Sequence, residues 1–271
     1  KLVAAMSGGV DSSVAAFLMA EQGIEVIAAS LRLTGSERLE NIGARDSCSS
    51  MTDIEHAREA AEKIGIKHLT VDLREDFESR VLKKAWEAYS RGETPNPCTI
   101  CNRYIKFHHL LSLADELDAD GIITGHYARV EVDKEGFPLL FRGKDPDKDQ
   151  SYFLYDLQTD QRLRSYFPLG SLRKSEVRDI AQARGFKNAA KRESQDACFY
   201  INGLGFPDAL KHYFGSETLR GDFVGPDGRV LGKHNGIHRY TIGQRRGLGI
   251  SLRTPSYVSA IDALSVNVSL G

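Results

Sequence analysis

Residues 2–6, Leu-Val-Ala-Ala-Met, form a short unbroken apolar run, the pattern of a strand buried on both faces. Val14, Ala15, Leu18 and Met19 then recur at helical spacing, and Gly23 supplies a stop. Residues 25–31 read as a second buried strand. Residues 33–51 carry Gly, Ser and Asn with no period and read as a loop. Thr52-x-x-Glu55 has the form of a capping box opening a helix through Lys63, stopped at Gly65, and 66–73 is a strand. A helix is expected over 76–91, with Phe77, Val81, Ala85 and Tyr89 on one face. Thr94-Pro95-Asn96-Pro97 should break any helix, and Asn102 should open the next, with Ile105, Leu110, Leu113 and Leu117 inward. Residues 121–124 form a strand that runs out at Gly125-His126-Tyr127. Strands alternating with helices predict an α/β fold built on a doubly wound parallel sheet, whose ligands lie beyond the C-terminal strand ends.

The second half reads differently. A hairpin is expected over 129–143 around Glu135-Gly136, a helix start at 148–153, and an amphipathic helix at 173–184 with Val177, Ile180 and Ala181 inward. After about Ile201 glycine and basic residues increase and strands shorten, as in a small β-rich second domain. Residues 257–261 and 265–270 alternate like one more hairpin. The expected division is therefore 1–200, 201–255 and 256–271. No internal repeat or low-complexity segment interrupts it.

Composition narrows the classes. The chain has 271 residues, 36 Lys and Arg against 37 Asp and Glu, and a net charge of −1, so bulk charge does not announce a nucleic-acid binder. The distribution is uneven: 201–255 holds eight basic and four acidic residues, a local excess of +4. No apolar run is long enough to span a membrane, and no membrane partner is expected. The sequence opens at Lys1, directly in a strand, and is neutral on any targeting signal ahead of it. Four cysteines, Cys48, Cys98, Cys101 and Cys198, are too sparse for a disulfide scaffold.

The strongest chemical signal sits between the first strand and the first helix, at Ser7-Gly8-Gly9-Val10-Asp11-Ser12-Ser13. Two glycines there let the backbone approach a ligand, and the helix start favours an anion such as phosphate. Asp11 or Ser12 is placed to cap the helix, and Asp11 to hold a metal. An unliganded tight turn is the plain alternative. The string is neither Gly-x-x-x-x-Gly-Lys-Ser/Thr nor Gly-x-Gly-x-x-Gly. It resembles the PP-loop of ATP pyrophosphatases, which activate a carbonyl-type oxygen with AMP and release pyrophosphate.

Cys98-Thr99-Ile100-Cys101 lies in the proline loop, where a following helix start would lower a thiol pKa; a structural zinc half-site is the competing reading. Cys198, taken alone, reads as a buried inert residue, and Cys48 as an unassigned loop thiol. His126 follows a strand at the ligand edge and could touch nucleotide or substrate, or serve the fold. Lys148 beside Asp149 could be a surface ion pair. Arg245 and Arg246, between Gly243 and Gly247, read as phosphate contacts or as a solvated turn.

Together these strings resemble the tRNA-specific 2-thiouridylase family. The matching pieces are Met6 to Ser12, Thr94 to Pro97 with Cys101-Asn102, Ile105-Lys106-Phe107, Gly125-His126-Tyr127, the segment 148–153, Phe167 to Gly170, Ser194-Gln195-Asp196 with Cys198-Phe199, Gly232-Lys233-His234 and the segment 240–249. They follow one another in family order from end to end. The resemblance implies an ATP- and Mg2+-dependent cytoplasmic enzyme that replaces the 2-oxygen of a tRNA wobble uridine with sulfur. It implies that Ala5, Met6, Ser7, Gly8, Gly9, Val10, Asp11 and Ser12 bind ATP, with Leu31 and Gly125 at the adenosine. Cys101 and Cys198 would be the active-site pair, Cys198 carrying a persulfide that Cys101 resolves as a disulfide. Asn96, Pro97 and position 98 would face the target base, Lys148, Asp149 and Gln150 would contact tRNA, and His126 would lie where tRNAs are discriminated. The anticodon loop would be the tRNA element bound, and sulfur would arrive from a cysteine desulfurase or a sulfur-relay protein.

Two departures from the family pattern matter. Many members carry Asp where this chain has Cys98, so Cys98, Cys101 and Cys198 could instead hold a 4Fe-4S cluster with one iron open to sulfide. The family also continues into a C-terminal β-barrel, and 256–271 are expected to be its beginning. Competing readings are another PP-loop enzyme, an amidotransferase-type synthetase or a small-molecule thiolase, and a non-catalytic RNA-binding relative. The first accounts for Ser7 to Ser12 but not for Cys101 with Cys198 or Gln244-Arg245-Arg246; the second predicts eroded loop and cysteine positions, which are intact.

Overall fold

The computed structural model describes residues 1–34, 44–45, 51–190, 199–201, 204–215, 220–252 and 254–271. β1 (Leu2–Ala5) runs into the glycine loop and α1 (Val10–Glu21) follows at once. β2 (Val26–Arg32), the short β3 (Ala44–Arg45), α2 (Met51–Ile64) and β4 (Lys67–Asp72) come next. One helical run passes from α3 (Arg74–Phe77) through a π turn (Glu78–Leu82) into α4 (Lys83–Ser90). A second joins α5 (Pro97–Cys101), a π turn (Asn102–Lys106) and α6 (Phe107–Glu116). β5 (Gly121–Ile123), the hairpin of β6 (Ala128–Val132) and β7 (Pro138–Arg142), a 3-10 turn (Ser151–Leu154), α7 (Thr159–Leu163), β8 (Ser165–Tyr166) and α8 (Lys174–Ala183) follow.

β1, β2, β4, β5 and β8 form a fully parallel sheet in the order β4-β2-β1-β5-β8. The chain first builds outward from β1 and then returns to its other side, so a crevice opens between the C-terminal ends of β1 and β5. Alternation along each strand fills two cores. Leu2, Ala4 and Ala28 face α1, α2 and α8, while Val3 and Ala29 face α6.

Several expectations change. Residues 91–96 do break the helix, but the next begins already at Pro97: Asn96 accepts a hydrogen bond from the Thr99 amide at 3.2 Å, an N-cap with proline in the first turn. Asn102 consequently lies within the run. Thr52 sits inside α2, so it is no cap, and Glu55 pairs with Arg58. The helix expected from 148 is only the 3-10 turn.

The C-terminal part begins with a helix. α9 (Phe206–Phe214) has Pro207 in its first turn and Gly215 left-handed at its end; Ala209, Leu210 and Tyr213 bury against α4 and Phe199, beside the short β9 (Tyr200–Ile201). β10 (Gly221–Val224), β11 (Val230–His234), β12 (Val258–Asp262) and β13 (Asn267–Leu270) then make a four-stranded sheet in the order β11-β10-β13-β12. The expected hairpin of 257–270 is present as antiparallel β12 and β13, and β13 lies parallel to β10. Residues 256–271 thus share a sheet with 221–234, over a core of Phe223, Ile237, Tyr240 and Val268.

Candidate active site

The glycine loop leaves β1 at the crevice. Gly8 has φ +73°, and a Cβ on it would stand 2.2 Å from the Asp53 carbonyl oxygen, so glycine is required for the loop to turn beneath the start of α2. Gly9 is the N-cap of α1 in extended conformation; a Cβ there would meet only the Ser7 hydroxyl, at 3.5 Å. Ser12 Oγ accepts from the Ser7 amide at 3.1 Å and donates to the Gly9 carbonyl at 3.0 Å, which stiffens the loop. Gly125, at the end of β5, would place a Cβ 2.7 Å from the Ser12 amide nitrogen. Its missing side chain lets α1 dock on the crevice.

A cavity of about 240 Å3 opens there. Its walls include Ala5, Met6, Ser7, Asp11, Ser12, Leu31 and Gly125, all expected to meet nucleotide, and His126 and Gln150, expected on the tRNA side. Gly8, Gly9 and Val10 are not among its lining residues; Val10 is buried in the core beneath α1. The far wall is Lys106, Phe107 and Leu110, from the run that begins at Pro97.

Asp11 neither caps α1 nor stands open to a metal. Both its oxygens accept from the Lys174 ammonium at 2.7 Å, and Oδ1 also accepts from the Tyr127 hydroxyl at 2.8 Å. Lys174 is buried, from the first turn of α8. Asn188, also buried, donates to the Gly8 carbonyl and to Ser13 Oγ, both at 3.1 Å. Sequence reading missed both. Lys174 had a signal: it lies on the stripe of Val177 and Ala181, where an ammonium needs a buried partner. Asn188 had none.

His126 Nδ1 lies 2.9 Å from Thr124 Oγ1. Desolvation, with the charge of Lys106 second, pushes its pKa down to about 3, so the ring is neutral at working pH and offers hydrogen bonding rather than charge. Gln150 is fixed by exchange with Tyr127: its backbone amide donates to the Tyr127 carbonyl, and its Oε1 accepts from the Tyr127 amide at 3.1 Å. Asp149 closes its own turn, accepting from the amides of Gly143 and Ser151 and from the Ser151 hydroxyl.

Cys98 and Cys101 are one turn apart on α5, Cys98 half-buried and Cys101 buried among Ile105, Phe199 and Tyr213. Cys48 and Cys198 lie outside the described residues, although Phe199, next to Cys198 in sequence, shares the core cluster of Cys101. No group of three metal-ligating side chains occurs among the described residues. Arg245 and Arg246 are exposed on the loop before β12. That loop reaches the proline segment, where the Thr94 hydroxyl donates to that of Thr241 at 3.0 Å. Trp86 of α4 meets His238 edge-on, and His238 and Arg239 both bond Asp208. No helix among the described residues is long and apolar enough to cross a membrane.

Comparison with known proteins fits this geometry. The family described as tRNA methyl transferase HUP domain matches residues 1–202, and that described as tRNA methyl transferase PRC-barrel domain matches 207–271. The tRNA-specific 2-thiouridylase MnmA of Geotalea uraniireducens is 44% identical over all of this chain and 72% of its own length. Those of Geobacter metallireducens and Halothermothrix orenii are 45% and 44% identical, again over the whole chain, and 74% and 75% of their lengths are covered. Among solved structures, a 4-thiouridine synthetase in complex with RNA and ATP aligns over 79% of this chain and 49% of its own, at 16% identity and a TM-score of 0.46. An NMN synthetase from Francisella tularensis aligns over 80% and 77%, at 16% identity and a TM-score of 0.43. Identity of about 44% along the entire chain, together with two family matches that tile it, means that the chain belongs to the tRNA-specific 2-thiouridylase family.

Proposed function

We propose that this protein is an ATP-dependent sulfurtransferase that thiolates C2 of the wobble uridine in tRNA. The observation that carries the reading is the helical run from Pro97: its first turn bears Cys98 and Cys101, and Lys106, Phe107 and Leu110 further along form a wall of the glycine-loop cavity. Cys101 and Phe107 are six positions apart along that run, at most about 9 Å at the α-helical rise of about 1.5 Å per residue. A nucleotide in the cavity and a base beside the thiols would therefore be neighbours on one rigid element.

The residues present suit a nucleotide. Ser7, Gly9 and the amides opening α1 would hold phosphates, and Leu31 and Gly125 would flank the adenosine. Mg2+ would come with the phosphates, and Asp11 is the carboxylate of the lining that could meet it once Lys174 shifts. Adenylation turns the uracil 2-oxygen into a good leaving group. In the persulfide route the terminal sulfur on Cys198 attacks C2 and AMP departs. Cys101 thiolate then attacks Cys198 Sγ, leaving sulfur on C2 and a Cys101–Cys198 disulfide. Cys98 supports a second route: Cys98 and Cys101 on one turn, with Cys198, would hold a 4Fe-4S cluster, which when bound supplies an iron site for sulfide.

The anticodon loop would be read by Asn96, Pro97, His126, Lys148, Asp149 and Gln150, and its phosphates by Arg245 and Arg246. Residues 1–200 would act as the catalytic unit and 201–255 as the basic clasp. Sulfur would come from a cysteine desulfurase or a sulfur-relay protein, in the cytoplasm. The test is thiolation of tRNA by anaerobically prepared protein, with ATP and a sulfide source. Cys101→Ser should abolish product and Cys48→Ser should not; activity retained in Cys101→Ser refutes the reading. Cys98→Ser separates the routes: inactivity together with lost iron selects the cluster, and activity without iron selects the persulfide.

A further inference from the structure

Beside the cysteine helix lies a cluster of tyrosines that the mechanism above does not use. The 3-10 turn at Ser151–Leu154 buries Leu154 completely, and Leu157 just beyond it is buried as well. A 3-10 turn has three residues per turn, so side chains at i and i+3 eclipse one another. Tyr152 and Tyr155 are such a pair. They are 66% and 62% exposed, with ring centroids 6.1 Å apart. On the neighbouring π turn that follows Cys101, Tyr104 is 38% exposed.

Two cations lie against the Tyr104 ring. The Arg103 guanidinium lies 4.7 Å from the Tyr104 centroid and donates to Asp156 at 2.7 Å, which ties Tyr104 to the residue after Tyr155. The Lys84 ammonium lies 5.8 Å from the same centroid. The patch is also fastened to the chemistry. Asn102, the residue after Cys101, is buried and donates to the Phe153 carbonyl at 2.9 Å, so the turn bearing Tyr152 moves with the cysteine helix.

We propose that Tyr104, Tyr152 and Tyr155 form a stacking platform for the unpaired bases of an RNA loop, the bases flanking the one that enters the active site. This rests on the tRNA reading above and adds how the loop is held. Flat amphipathic rings open to solvent, with cations beside one of them, suit single-stranded nucleic acid, because every base has a π face and every linkage a negative charge. Lys84 meets the charge and the rings meet the bases. A paired stem offers no free base faces, so the platform selects the loop.

The experiment compares binding of an anticodon stem-loop RNA with binding of the same RNA whose loop is paired to a complementary oligonucleotide. Base stacking sets the expected scale: the Tyr152→Ala, Tyr155→Ala double variant should bind the open loop about five- to a hundredfold more weakly. Tyr104→Ala should weaken it in the same direction. The Tyr152→Phe, Tyr155→Phe double variant keeps the rings and should bind like the unaltered protein. These changes remove no charge, so the salt dependence of binding should keep its slope. Thermal melting of the Tyr152 and Tyr155 variants should be unchanged, since those two rings are mostly exposed. Alanine variants that melt normally and bind the open loop undiminished overturn the platform while leaving the function standing. An unaltered protein that binds neither RNA overturns both.

Discussion

At the scale of single residues, two adjacent glycines divide the work of the loop. Gly8 serves the fold, since its positive φ and the Asp53 carbonyl behind it leave no place for a side chain. Gly8→Ala should cost about 1–3 kcal/mol in a denaturant melt, from backbone strain and the displaced carbonyl. Gly9 has ordinary extended dihedrals and room for a Cβ. Gly9→Val should cost about 1 kcal/mol, as a poorer N-cap of α1, yet bind ATP weakly by calorimetry, because the valine crowds the phosphate approach. Full ATP affinity in Gly9→Val would remove the loop from the nucleotide site. Lys174 is the other decisive residue. Lys174→Met keeps the packing of the stem but leaves the Asp11 carboxylate short of charge, at a cost of about 2 kcal/mol, below the fully buried range because the Asp11 side chain is 29% exposed. Adding Asp11→Asn should recover much of that loss, and a double-mutant cycle with no coupling would contradict it.

At the scale of elements, the run from Pro97 to Glu116 and the loop before β12 decide where RNA can lie. The run carries cysteines at one end and cavity wall in the middle. The loop brings Arg245 and Arg246 toward the proline segment through Thr94 and Thr241. Removing one arginine that neutralises a phosphate should flatten the slope of log affinity against log salt by about 0.7–0.9. The Arg245→Ala, Arg246→Ala double variant should show about twice that flattening with tRNA, roughly 1.4–1.8. An unchanged slope would place the phosphates elsewhere.

At the scale of the whole molecule, buried and half-buried histidines make stability depend on pH. Burial lowers the pKa of His68, His109, His234 and His238, and that of His126 falls to about 3. In the unfolded chain each returns to about 6.5. As pH falls below that value the unfolded state takes up protons that the folded state refuses, so stability declines. It is fully present above about pH 6.5 and lost progressively below it, for His126 down to about pH 3. For His126, whose folded and unfolded values lie far apart, the limiting slope is about 1.4 kcal/mol per pH unit, and the other four add to it in the same direction. Urea midpoints at pH 7.5, 6.5 and 5.5 should fall in that order, before carboxylates begin to protonate. A flat profile would show that these rings are solvated.

The sequence by itself determined the parallel sheet, the loop at its switch point and the family. Those features rest on local period and on short strings, which survive without knowledge of distant neighbours. It misplaced elements where one local rule hides another, as when Asn96 and Pro97 read as a break but form a helix start. Only the tertiary structure decided the partners. Asp11 meets Lys174 across 163 residues, Gly8 meets Asn188 across 180, and Thr94 meets Thr241 across 147. No period or motif encodes such pairs. They follow from which faces the sheet order brings together, and a buried charge or carbonyl takes whatever donor that packing supplies.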